Sequence, residues 1–179
     1  MNVSHSHKYA RIEAERRFLV TAVPSNLDLS SYTHIQDTYI SGTRLRLRLM
    51  TAPDGTILAR KLGQKYLLDQ DNLLATVMTN LYLNEAEYHR MALLPGQILS
   101  KRRYTIHHEG IRFSLDIFEG NLASLILCEV ERVGDMALEH VALPPFATRE
   151  VTHDPFFTGG QLVQLTAKAF QWHMENEGE

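Results

Sequence analysis

The chain has 179 residues, of which 44% are hydrophobic and 22% are charged, a composition typical of one globular domain with a sizeable core. Its 18 Lys and Arg residues against 21 Asp and Glu residues give a net charge of −3, so the overall charge does not indicate a nucleic-acid partner. The single cysteine, Cys128, excludes an intramolecular disulfide and a cysteine-rich zinc site and fits a reducing cytoplasm.

The first ten residues show a different pattern from the rest of the chain. Residues 1–10 contain no apolar core, so we expect an N-terminal tail and not a signal peptide. No apolar run approaches the length needed to span a membrane, and no repeat or linker-like segment interrupts the rest. We therefore expect residues 11–179 to form a single domain.

Most of the chain shows the period-two alternation that is typical of β-strands. Glycine-containing turns separate several of the alternating runs: Gly42, "APDG" at 52–55 and "HHEG" at 107–110. The pattern predicts about eight strands, at residues 11–19, 33–40, 43–50, 56–62, 76–83, 98–107, 111–118 and 125–133.

Only two helices are predicted. Asn84 and Glu87 have the spacing of a capping box, which starts a helix that ends near residues 94–96. The second runs from about residue 161 to 174, with an apolar face that we expect to pack on the sheet: Leu162, Leu165, Ala169 and Trp172. The fold class is therefore mostly β (α+β), one antiparallel sheet with a few flanking helices.

Several predicted strands carry charge on one face, and the strands differ in the sign of that charge. The positions are Glu13, Glu15 and Arg17; Arg44, Arg46 and Arg48; Lys61; Lys101 and Arg103; Asp116; and Glu129 and Glu131. A solvated outer face explains any one of these strands. Taken together they favour a closed barrel with a charged interior, because like charges side by side are costly unless an opposite charge lies between them.

Such an interior can bind a metal–polyphosphate complex. Its bases can hold several phosphate groups through charge-assisted hydrogen bonds: Arg17, Arg46, Arg48, Lys61, Lys101 and Arg103. Its carboxylates can hold Mg²⁺ or Mn²⁺, which prefer oxygen ligands: Glu13, Glu15, Glu129 and Glu131. Neither set is stable when buried alone, whereas a metal with a phosphate chain compensates both.

Seven short motifs in order resemble those of the CYTH superfamily, the triphosphate tunnel metalloenzymes, over residues 11–162. The first is Glu-x-Glu-x-Lys, matched by "EAERR" with Arg17 where the family has lysine. The other matches are Arg-x-Arg (Arg46, Arg48), the end of a "TIK"-like strand (Lys61), Lys-x-Arg-Tyr (Lys101, Arg103), "DIFEG" (Asp116), Glu-x-Glu (Glu129, Glu131) and "EVT-D" (Glu150 to Asp154).

The resemblance implies an eight-stranded antiparallel β-barrel tunnel that binds triphosphate compounds. It implies metal-dependent hydrolysis of inorganic triphosphate, a nucleoside triphosphate or thiamine triphosphate, with Glu13, Glu15 and Arg17 as catalytic residues. Asp116 is expected either as a further metal ligand or, in the interpretation we favour, as the residue that holds Lys101 or Arg103 in place. Arg44 is expected at the tunnel mouth.

Three departures from the family pattern leave other functions open. Arg17 replaces the signature lysine, the fifth strand offers only Asn80 or Tyr82 as polar inward residues, and "PFFTGG" stands where the family often has a lysine. A non-catalytic triphosphate- or polyphosphate-binding module is therefore the alternative, and an adenylate cyclase that makes cyclic AMP from ATP is a third. A small-molecule triphosphate is the expected partner, with no nucleic acid or membrane, and a homodimer would be unsurprising.

Overall fold

The computed structural model describes residues 10–67, 75–131 and 138–176. Within these ranges one sheet contains strands β1 (Arg11–Val20), β2 (Thr33–Ile40), β3 (Leu45–Thr51), β4 (Ile57–Leu67), β5 (Ala75–Tyr82), β6 (Gly96–His108), β7 (Ile111–Phe118), β8 (Ile126–Glu131) and β9 (Arg149–Glu150). The strand order is β5-β4-β3-β2-β6-β7-β8-β1-β9, and a further β1–β5 pairing closes the first eight strands into an antiparallel barrel. The predicted fold class is confirmed.

The register of neighbouring strands places the charged residues on one common face. Directly opposed residues of paired strands lie on the same side of a sheet. Arg17 is opposite Glu129, Arg103 is opposite Asp116, and Arg48 is opposite a lysine of β4. The charged faces of the separate strands therefore meet inside the barrel, as the alternation predicted.

The strand boundaries differ from the prediction mainly at β4, which continues five residues past the predicted end. Gly63 lies opposite Asn80, and a Cβ atom there would lie 2.9 Å from the Oδ1 atom of Asn80. Glycine thus permits a close approach inside the strand without ending it. Strand β9 was not predicted, residues 132 and 133 of the predicted eighth strand lie outside the described ranges, and so do residues 1–9 of the predicted tail.

The first helix is confirmed and the second is two helices. In α1 (Glu85–Met91) both bonds of the capping box form, Asn84 N to Glu87 Oε2 at 2.8 Å and Glu87 N to Asn84 Oδ1 at 3.0 Å. The predicted second helix is α2 (Gly159–Leu162) followed by α3 (Ala167–Asn176). The break changes which face is buried: Phe170 is 2% exposed, whereas Ala169 is exposed and Trp172 is 65% exposed. The predicted packing face is therefore wrong for Ala169 and Trp172.

The apolar side chains of the barrel form two clusters. One continues the interior face beyond the charged residues, where Leu19, Leu99 and Leu127 pack against Phe157 and Phe170 of the C-terminal segment. The other covers the outside of β1, β6, β7 and β8 and includes Cys128, whose thiol pKa is raised to about 12, mainly by burial. No helix in the described ranges is long and apolar enough to span a membrane.

A charged tunnel as the candidate active site

The charged part of the barrel interior, called the tunnel below, is lined by charged side chains from seven of the described strands. They are Glu13, Glu15, Arg17, Asp37, Arg46, Arg48, Lys61, Lys65, Lys101, Arg103, Asp116, Glu129 and Glu131. The predicted site residues of the strands all lie on this face, and Asp37 and Lys65 were not predicted. Arg44 precedes β3 and is exposed, outside the strand it was assigned to.

Arg103 joins the basic and the acidic sides of the tunnel. Its Nε and Nη2 atoms donate to Asp116 at 2.6 Å each, and Nη2 also donates to Glu129 Oε2 at 2.5 Å. Asp116 is fully buried and also accepts a hydrogen bond from Lys101. Burial opposes the charge of Arg103, but Asp116 and Glu129 outweigh it and hold the arginine pKa well above its usual value.

Glu129 is kept ionised by the same cluster. Burial would raise its pKa, but the positive charges of Arg103, Lys101, Arg17 and Lys65 outweigh burial and hold the pKa well below its usual value. The carboxylate is therefore available as an anion inside the barrel at neutral pH.

Asp37 anchors the arginine strand from the neighbouring strand β2. Arg48 donates to it twice, Nε to Oδ1 at 2.6 Å and Nη2 to Oδ2 at 2.7 Å, and Arg46 Nε lies 3.7 Å from Oδ1. Burial would raise the pKa of Asp37, which is 2% exposed, but the bond from Arg48 and the two arginine charges lower it overall. The sequence signal is a lone acid in "HIQDTYI", alternating with Ile35 and Tyr39.

Glu15 is paired with two bases of the tunnel. Its Oε1 atom accepts a hydrogen bond from Lys65 Nζ at 2.8 Å, and Arg17 Nε lies 3.6 Å away. Lys65 was missed because the predicted strand stopped at residue 62, whereas the alternation continues through Gly63 to Lys65.

Arg17 points away from the tunnel centre toward the C-terminal segment. Its Nη1 atom donates to the carbonyl of Phe157 at 2.8 Å, and its side chain is 10% exposed. Within the described ranges its Nε atom is buried without a hydrogen-bond partner. The Arg17 side chain therefore connects β1 to the 3-10 helix Pro155–Phe157.

Glu131 shows that negative charge accumulates where β1 and β8 pair. It lies opposite Glu15, and its pKa is raised by partial burial, by Glu129 and by the glutamates of β1, against the opposing charge of Arg103. In the described ranges no three His, Cys, Asp or Glu side chains stand close enough to hold a metal as placed. The carboxylates of β1 and β8 are oxygen ligands of the kind that a hard divalent cation prefers. To bind it, Glu15 and Glu129 must leave their ion pairs.

Comparisons with known proteins point to one group. No protein-family model matches the chain. An inorganic triphosphatase of Nitrosomonas europaea is 28% identical over 148 residues, which cover 79% of this chain and 90% of that protein. A crystal structure of the hypothetical protein NE1496 superimposes with a TM-score of 0.57 at 25% identity, covering 86% of this chain and 99% of the other. A second, of the inorganic triphosphatase NE1496, gives a TM-score of 0.54 at 23% identity, covering 86% and 95%.

These similarities agree with the resemblance of the seven motifs to the CYTH superfamily. The last of the seven motifs lies outside the tunnel and fastens β1. Glu150 accepts two bonds from Arg16, at 2.9 and 2.5 Å, and one from Thr152 Oγ1 at 2.6 Å. Thr152 Oγ1 in turn accepts the backbone N–H of Arg17 at 3.0 Å. The motif therefore holds the strand that carries Glu13, Glu15 and Arg17.

The inward face of the fifth strand includes the predicted Asn80 and Tyr82. It also includes Thr76, a polar residue that was not predicted and that lies opposite Glu13. Asn80 lies opposite Gly63 and Tyr82 lies opposite Lys61, whose Nζ atom is 5.0 Å from the centre of the Tyr82 ring. Tyr82 is 73% exposed, which places this cation–π contact at an open part of the barrel. No carboxylate from β5 joins the tunnel along the described part of that strand.

Proposed function

We propose that this chain is a member of the CYTH superfamily and a divalent-metal-dependent triphosphatase that hydrolyses inorganic triphosphate or a nucleoside triphosphate inside the tunnel. The observation that carries the proposal is the buried cluster of Lys101, Arg103, Asp116 and Glu129, in which one arginine spans the basic and acidic sides. The similarity to a protein named inorganic triphosphatase supports the same reaction.

The bases of the tunnel would bind the phosphate chain. Arg46, Arg48, Lys61, Lys101 and Arg103 line one continuous interior, and Arg17 offers its buried Nε. Asp37 and Asp116 orient these bases by bidentate bonds, so the guanidinium planes are placed before the substrate arrives. Phosphoryl transfer depends mainly on such positioning and charge neutralisation, so no covalent intermediate is needed.

Asp116 acts in this proposal as a positioning residue. Both of its oxygens already accept hydrogen bonds from Arg103, and one also accepts from Lys101. A metal bound to Asp116 would have to displace these bases, which are the residues that neutralise the phosphates. The holding role favoured from the sequence is therefore the one we propose.

The acidic side would hold the metal. Glu13, Glu15, Glu129 and Glu131 are the proposed ligands of Mg²⁺ or Mn²⁺. The pKa of Glu131 is raised first by burial and then by Glu129, Glu13 and Glu15, and a cation would relieve the repulsion among these carboxylates. When bound, the metal supplies Lewis-acid polarisation of phosphate oxygens and a lowered pKa of the attacking water. Glu13, Glu15 and Arg17 are proposed as the catalytic group of β1.

The cellular setting is also a proposal. We propose a cytoplasmic protein that acts on a small-molecule triphosphate, consistent with its lone buried cysteine and the chemistry of the tunnel. A homodimer stays a prediction, which a measurement of mass in solution would test.

A phosphate-release screen tests the proposed function. The substrates are tripolyphosphate, ATP, GTP, thiamine triphosphate and long-chain polyphosphate, each with Mg²⁺, with Mn²⁺ and with a chelator. We expect metal-dependent release from tripolyphosphate or a nucleoside triphosphate, and none with the chelator. Binding without turnover under any metal would contradict the enzyme and support a binding module, and cyclic AMP among the products of ATP would support a cyclase.

A further inference from the structure

Arg17, the base nearest Glu15 on the same strand, is bound at one end to the C-terminal segment. Its Nη1 atom donates to the carbonyl of Phe157, and 90% of its side chain is removed from solvent. Its Nε atom is directed to Glu15, at 3.6 Å. The hydrogen bond to Glu15 comes instead from a base on another strand.

Lys65 supplies a positive charge at that place. Its Nζ atom lies 2.8 Å from Glu15 Oε1, and its charge also contributes to the lowered pKa of Glu129. The Lys65 side chain therefore lies within electrostatic reach of both acidic strands, β1 and β8. Lys61 and Lys65 both lie on the inward face of β4, so the two lysines line the tunnel side by side along that strand.

The Lys65 side chain is more exposed than the other bases that make hydrogen-bonded ion pairs in the described part of the tunnel, so its pair can be exchanged more easily than theirs. The Lys65 side chain is 30% exposed, against 8% for Lys101, 15% for Arg48 and 19% for Arg103. Arg48 and Arg103 make bidentate bonds to buried aspartates, whereas Lys65 makes one bond to Glu15 through a flexible four-carbon stem. A single, partly exposed hydrogen bond of this kind opposes its own opening less than the bidentate bonds of the two arginines do.

We propose that Lys65 is a further phosphate-binding residue of this tunnel, which leaves Glu15 when a triphosphate binds and so frees that carboxylate for the metal. This inference rests on the proposed function, because it assigns a residue to the same substrate. In the resting tunnel Lys65 neutralises Glu15, and in the occupied tunnel the phosphate chain takes the ammonium group and the metal takes the carboxylate. In both states the ammonium group and the carboxylate each have a partner of opposite charge.

Calorimetric titration with tripolyphosphate in the absence of metal tests the phosphate-binding part. Lys65→Met should weaken binding about 10-fold, the effect of losing one charge-assisted contact of roughly 1.4 kcal/mol. Lys65→Arg should keep most of the affinity, because the charge is retained. Lys168→Met on α3, where the lysine is exposed, is the matched control and should bind like the wild type. Affinity of Lys65→Met within two-fold of the wild type would overturn the inference.

Titration with Mn²⁺ in the absence of phosphate tests the exchange. Lys65→Met should bind Mn²⁺ several-fold more tightly than the wild type, since Glu15 has lost its competing ammonium. The two titrations thus move in opposite directions, which a general loss of structure would not produce. Mn²⁺ binding that is unchanged or weaker in Lys65→Met would overturn the exchange.

The same titrations separate this inference from the proposed function. A wild-type protein that neither binds nor hydrolyses tripolyphosphate would overturn both. A wild-type protein that hydrolyses it, with a Lys65→Met variant that binds it equally well, would overturn the role of Lys65 alone.

Discussion

Replacing Arg103 by glutamine should lower the rate of tripolyphosphate hydrolysis about 10²–10³-fold, the usual cost of removing one preorganised donor that stabilises transition-state charge. Arg103 is the residue that contacts both Asp116 and Glu129, so its loss removes a phosphate ligand and also releases the two carboxylates. We expect the effect to fall mainly on kcat, because the developing charge of the transition state is what the guanidinium stabilises.

The neighbouring Arg102 provides the control for this substitution. Arg102 faces outward, pairs with Glu119 at 2.8 Å and has a half-exposed side chain. Arg102→Gln should hydrolyse tripolyphosphate within a few-fold of the wild-type rate, as is usual for an exposed pair. Thermal melting of both variants would show that each is folded at the assay temperature. Equal loss of activity in the two variants would contradict a specific role of Arg103 in the tunnel.

Replacing Asp37 by asparagine should lower the free energy of unfolding by about 3–5 kcal/mol, the range found when one partner of a buried ion pair is removed. Asp37 is 2% exposed and holds Arg48 through two hydrogen bonds, with Arg46 beside it. Without the carboxylate, the charge of Arg48 is left in the barrel with no anion to compensate it. Urea denaturation at neutral pH measures the change.

The loss of stability caused by Asp37→Asn should depend on pH. Because the pKa of Asp37 is lowered in the folded protein, its contribution is present above the unfolded pKa of about 3.9 and is lost as the pH falls through the folded pKa. Asp37→Asn should therefore differ most from the wild type at neutral pH and least in acid. Asp28→Asn, an exposed control whose amide can still accept the bonds from Ser30, should unfold like the wild type. A stability difference that does not narrow in acid would contradict the ion-pair explanation.

The sequence predicted the strands and their charged faces because alternation is a local property. Arg46, Arg48, Lys101 and Arg103 need only the pleat of their own strands to point inward, and the closed register then brings those strands together. The resemblance carried by the seven motifs implied the eight-stranded tunnel, whereas the order of the strands in the sheet was not predicted.

What the sequence did not predict depends on contacts between distant segments. Asp37 is one acid on an otherwise apolar face, and its role follows only from the register that puts Arg48 opposite it. Lys65 follows a glycine that usually indicates the end of a strand, but here permits a close approach to Asn80. The direction of Arg17 depends on Phe157, which is 140 residues later in the chain. The start of α3, by contrast, has a local cause that was missed, because Thr166 Oγ1 accepts the backbone N–H of Ala169 at 3.2 Å as an N-cap.

The central claim is that the inside of the barrel, and not its outer face, binds the triphosphate. Arg46 and Arg60 are a matched pair for testing it, because their side chains are 17% and 18% exposed and they lie on neighbouring strands, one facing inward and the other outward. Tripolyphosphate affinity should be measured by calorimetry for Arg46→Met and Arg60→Met beside the wild type. We predict about a 10-fold loss of affinity for Arg46→Met, as expected for one charged contact, and no change for Arg60→Met. Equal affinities for the two variants, or a larger loss for Arg60→Met, would contradict the account.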